Sequence, residues 1–161
     1  MALRSVHFAA VILTALALVP GGAHLFALPN KIDLAPDQYF VVQTIYRGWA
    51  LFGIVLFADL AALVGLAIML RGKPAAFRLA LGSLLCIVAT LFVFFVWTYP
   101  ANVATNNWTV VPANWQDLRA QWEYAHAAGA VITFVALCLV VLSTLVNDRA
   151  PMAARAMPGS T

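Results

Sequence analysis

Trp115, Arg119, Trp122 and His126 follow one another at intervals of four, three and four residues, with Leu118 and Glu123 alongside. Such intervals return side chains to one face of an α-helix. Its indoles can stack on a flat ring, its guanidinium can hold an oxyanion, and its imidazole and carboxylate can move protons. A stripe turned to lipid would be plain Leu and Phe. Matching parts occur elsewhere. A second imidazole, His24, lies inside an otherwise apolar run. Tyr46 and Arg47 stand between Gln43 and Trp49, and one stretch carries Trp97, Tyr99, Asn102, Asn106, Asn107 and Trp108. Each group also has a plainer reading. Trp and Tyr gather in belts at membrane interfaces, His24 can be a hydrogen-bonded packing residue, and Glu123 and His126 can form a local cluster with Arg119. What favours chemistry is convergence, because polar groups in a membrane bundle usually face its interior.

Membrane helices must position these residues. Of the 161 residues, 64% are hydrophobic and 9% charged, whereas soluble domains have about 45–50% apolar and about 25% charged residues. No soluble fold of this length hides so much apolar surface, so the bilayer is the solvent. A spanning helix needs about 20 apolar residues. The pattern predicts four, over 6–28, 43–70, 77–100 and 114–146, within a single domain 1–150 followed by a disordered tail 151–161. Arg4 before the apolar run 8–19 has the outline of a secretory leader. The run continues through Pro20-Gly21-Gly22 to Leu28 without a small-x-small cleavage site, which reads as a retained helix. Arg71-Gly72-Lys73-Pro74 is a tight turn, Pro100 is expected to end the third helix, and Asn114 is placed to cap the fourth, with Asp117 favouring its positive end.

The expected fold is therefore an all-α, integral membrane four-helix up-down bundle. Arg4, Arg71, Lys73, Arg78, Arg149 and Arg155 fall at one end, against Lys31, Arg47 and Arg119 at the other. This bias predicts both termini in the cytoplasm, with loops 29–42 and 101–123 on the periplasmic side of a bacterial inner membrane. At about 1.5 Å of rise per residue, His24 lies about 27 Å up its helix, and Trp97 and His126 about 30 Å up theirs. They share one level, and the first and fourth helices of such a bundle can be neighbours. Asp59 falls near mid-membrane, where it is expected to be neutral or hydrogen-bonded to a group such as Thr90. Cys86 and Cys138 lie in apolar runs and read as buried thiols packed as small hydrophobes. With no basic stripe, nucleic-acid binding has no support.

The stretch Pro100-Ala-Asn102-x-x-x-Asn106-Asn107-Trp108, followed by Trp115-x-x-Leu118-Arg119-x-x-Trp122-Glu123-x-x-His126, resembles the anthrone oxygenase-like family of small four-helix membrane proteins, most of unknown function. Members for which the family is named oxidise an anthrone to an anthraquinone with molecular oxygen and no evident cofactor. The resemblance implies His126 or His24 as the base. Arg119, Arg47 and Tyr46 would hold the enolate oxygen, and Trp108, Trp115 and Trp122 would stack on the ring.

Three function classes stay open. One is an oxidoreductase or oxygenase acting on a hydrophobic aromatic or quinone-like molecule. Its reacting groups would be His126, His24, Arg119 and Glu123, and its binding groups Tyr46, Arg47, Trp97, Asn102, Trp108, Trp115 and Trp122. Another is a cofactor carrier, with a b-type haem between His24 and His126 or a metal on Glu123, His126 and His24. The duplicated Glu-x-x-His of di-iron bundles is absent. The last is a non-enzymatic accessory subunit or small transporter, in which membrane lipid, a second copy or a membrane complex is the partner.

Overall fold

A computed structural model describes residues 1–155, with side chains through Asn147; the expected tail, 151–161, lies outside the residues whose side chains are described. The described residues form helices joined by turns and loops, with no strand among them, and four segments are long and apolar enough to cross a membrane: Ala2–Lys31, Trp49–Met69, Pro74–Ala104 and Trp115–Asn147. The helices are α1 (Ala2–Lys31), α2 (Pro36–Gln43), α3 (Phe52–Met69), α4 (Pro74–Val93), α5 (Tyr99–Ala104) and α6 (Trp115–Arg155). The long helices pack in a closed ring, α1 on α3 and α6, and α4 on α3 and α6. This is a four-helix bundle, the architecture of a small multi-pass membrane protein.

The bundle has two differently built ends. Near the termini and the Arg71–Lys73 turn the core is aliphatic, with Ala10, Leu63, Leu66, Ala80, Ile87 and Val140 among its buried residues. Its buried hydroxyls find carbonyls on neighbouring helices: Ser83 donates to Ala136 at 2.9 Å and Ser143 to Ala76 at 2.9 Å. Asp59 is fully buried and accepts from Thr14 at 2.9 Å. Thr14, not Thr90, is its partner, because α1 packs on α3 while Thr90 faces Thr133 of α6. Cys86 is half-buried, but Cys138 lies on the outer surface of α6, contrary to the buried thiol expected there. The opposite end is aromatic, built on Tyr39, Ala101, Trp108 and Trp122.

Element boundaries depart from the hydropathy pattern where single residues intervene. α1 runs through Pro29 to Lys31, one turn beyond the expected end at 28. Proline removes only its own donor, and the last turn continues past it. The second span does not begin as helix at 43. Loop 29–42 holds the short helix α2, and a ledge of two 3-10 turns follows, divided at Gly48, whose φ of 87° is left-handed. Tyr46 and Arg47 therefore stand on the ledge. Pro100 does not end the third span. A π turn over Phe94–Thr98 precedes it, with the Tyr99 amide donating to the Phe94 carbonyl five residues back, and α5 continues to Ala104. The inserted residue advances the helix by about 100°, one residue's rotation.

Candidate functional site

α1 and α6 come close because Gly21 faces Ala130: a β-carbon at Gly21 would lie 3.2 Å from the Ala130 Cα. That approach brings together His24, three residues after Gly21, and His126, four residues before Ala130. Their ring centroids are 4.1 Å apart. His24 also meets Tyr46 at 4.1 Å and the edge of Trp122 at 4.8 Å. The His126 Nδ1 lies 2.8 Å from the Trp122 carbonyl. A carbonyl only accepts, so Nδ1 carries the proton and Nε2 of the neutral ring keeps its lone pair. In His24 the Nδ1 atom is buried without a hydrogen-bond partner among the described residues.

Both imidazoles line a cavity of about 750 Å³ running from the 107–109 loop down between the helices, with Tyr46, Arg47, Asn102, Trp108 and Trp122 also in its wall. Asn102 fixes two of the rings. Its Oδ1 accepts from the Trp122 indole at 2.8 Å and from the Trp108 indole at 3.2 Å. Asn106, Asn107 and Trp108 all have positive φ, at 48°, 53° and 64°. Asparagine tolerates this region but tryptophan rarely enters it, and the buried indole is held there by Asn102, Tyr39 at 5.2 Å and Phe40 at 5.6 Å.

Four expected site residues lie elsewhere. Trp97 is 43% exposed on the outside of the π turn, against Phe92, because the inserted residue turns Thr98 inward instead. Trp115 stacks beneath Arg119 and beside Tyr39, away from the cavity. Arg119 donates to the Leu34 carbonyl at 2.7 Å, pinning the chain after α1. Glu123 does not join Arg119. It is 1% exposed and pairs with Lys31 at 2.9 Å, because the extra turn of α1 carries Lys31 into the bundle.

Lys31 is the buried charged residue behind the site that the pattern of spans hides. Its ammonium, in a residue 3% exposed, donates to the Tyr46 hydroxyl at 3.0 Å and lies 5.4 Å from the Trp122 ring centroid. Tyr39, fully buried on α2, donates its hydroxyl to Glu123 at 2.9 Å. Burial and the adjoining Glu123 carboxylate push the Tyr39 phenol above its usual range, so it remains a donor at physiological pH. The result is a chain of polar contacts, Tyr39–Glu123–Lys31–Tyr46, behind one cavity wall.

The arrangement does not suit the two cofactor alternatives. A haem iron would need an imidazole nitrogen about 2 Å away on each face of a porphyrin, and rings with centroids 4.1 Å apart leave no room for that plane. The metal set of His24, Glu123 and His126 lacks its carboxylate, which is held by Lys31 and Tyr39. What the site can do is stack a flat molecule and exchange a proton with it. Comparison of the chain with family models, curated proteins and solved structures gives no match, so the functional reading rests on the site.

Proposed function

We propose that this chain binds a hydrophobic aromatic, quinone-like molecule in the cavity and oxidises it with molecular oxygen, as a small oxygenase of the bacterial inner membrane with its site on the periplasmic side. The observation that carries this reading is the His24–His126 pair set in the wall of a cavity lined by Trp108 and Trp122. In this reaction His126 Nε2 takes a proton from a carbon flanked by aryl rings. The electron pair left behind spreads onto the ring oxygen as an enolate, which Tyr46 and Arg47 face. Dioxygen then accepts the electrons. One of its atoms becomes the new carbonyl oxygen and the other leaves as water, so that a methylene and O₂ give a ketone and H₂O. Lys31 holds the Tyr46 hydroxyl in place. Arg119, spent on Leu34, serves the architecture.

The test is oxygen consumption by the purified protein in nanodiscs supplied with an anthrone, followed with the product spectrum. His126→Ala should lower turnover by about 10²–10⁴-fold, the usual contribution of a general base, while ligand quenching of tryptophan fluorescence is unchanged. Binding without oxygen uptake by the parent protein would reduce the reading to a binding module.

A further inference from the structure

The cavity is not closed on all sides. None of residues 52–58 at the start of α3 is buried, and none of residues 88–97 at the end of α4 and the π turn, although α3 buries residues after this stretch and α4 before it. Gly53, Leu56 and Phe57 line the cavity from α3, and Leu91, Phe94 and Phe95 from the facing segment. Three of these wall residues are also outer surface, with Phe57 61%, Phe94 37% and Phe95 55% exposed. The π turn packs on α4, α5 and α6. A window thus opens sideways between α3 and the π turn. It lies within Trp49–Met69 and Pro74–Ala104, two of the segments long and apolar enough to cross a membrane. Its jambs are apolar. On these elements the polar lining is limited to the hydroxyls of Thr90, which meets Thr133, and Thr98, which is buried; His24, Tyr46, Asn102 and His126 stand on other elements.

We infer that the ligand is an amphiphile, an aromatic ring bearing a long alkyl or isoprenoid tail. The ring lies at the imidazole pair and the tail leaves through the α3–π-turn window into the bilayer. This rests on the ring-binding reading above and adds the substrate class. A window of bare phenylalanine edges between two such apolar segments is matched by a hydrocarbon chain, and its continuity with the ring site makes the ligand's own tail the occupant. The cavity fits the division: polar partners and indoles surround one part, while Gly53, Leu56, Phe57, Leu91, Phe94 and Phe95 frame the opening.

Gly53 offers a clean test, since a β-carbon there meets nothing within 4 Å. Two probes share one ring, 2-methyl-1,4-naphthoquinone without a tail and the same quinone with an isoprenoid tail. Binding to the full chain in nanodiscs is read by tryptophan quenching. Gly53→Phe should weaken the tailed quinone by about tenfold or more, the scale of forcing bulk into an occupied slot, and leave the tailless one unchanged. Leu91→Trp narrows the window from the other jamb and gives the same readout should Gly53→Phe not fold. Gly22→Phe, in open space outside the cavity wall, should affect neither. If both blocking variants bind both quinones like the parent, the amphiphile inference fails and ring binding stands. The inference also fails if native mass spectrometry shows a phospholipid displaced by Gly53→Phe while tailed-quinone affinity holds, since the slot then belongs to an acyl chain. If neither quinone quenches the parent protein, the ring-binding reading falls and takes this inference with it.

Discussion

Lys31 and Glu123 form an ion pair with almost no exposure, and such pairs matter most when one partner is removed. Lys31→Met leaves the Glu123 carboxylate buried with only the Tyr39 hydroxyl to satisfy it, at a cost of about 3–5 kcal/mol. The double variant Lys31→Met with Glu123→Gln should recover most of that loss, because a neutral amide oxygen still accepts from Tyr39. Thermal unfolding in detergent compares them, and a double variant no more stable than the single would show that the pair is not the source of the cost. The two histidines were legible at this scale, since residue counts along two helices put them at one depth. Lys31 was not, because the apolar run that marks the first span stops at Leu28. Its spacing of seven from His24, two helical turns, is the signal that places it on the same face. Trp97 misled for the converse reason: its depth is right, but the π turn aims it outward.

At the scale of elements, the site depends on how closely α1 and α6 approach. Gly21→Leu would drive a side chain into the Ala130 backbone. It should destabilise the bundle by about 1–3 kcal/mol and weaken ring binding, because His24 rides on the next turn. Unfolding and tryptophan quenching read the two effects separately; full stability with unimpaired binding would mean that the crossing has slack. The spans themselves were plain in the hydropathy, which follows from bilayer thickness. Their ends were not. The ledge at 44–51 turns on one left-handed glycine and the third span on how the chain accommodates Pro100, local solutions that an average over twenty residues erases.

For the molecule as a whole, orientation is the property that the bundle geometry does not fix and on which the charges bear. Four spans bring Ala2 and Asn147 to one end of the bundle, and the proposed topology, which rests on the bias of basic residues, has that end in the cytoplasm. A reporter fused after Thr161 should be active in its cytoplasmic form and silent in its periplasmic form; the reverse result would invert the molecule and its site. The Lys31–Glu123 pair has a consequence here. Its two charges cancel within the protein, so the site end presents Arg47 and Arg119 against exposed Asp33, Asp37 and Asp117. The other end presents Arg4, Arg71, Lys73 and Arg78. The protein is thus an electric dipole along the membrane normal, with its positive pole beside the termini. An inside-negative potential acts on each charge carried across with about 2.3 kcal/mol per 100 mV. The potential of an energised membrane therefore holds the molecule in the proposed orientation, and a de-energised vesicle removes that bias without altering a residue.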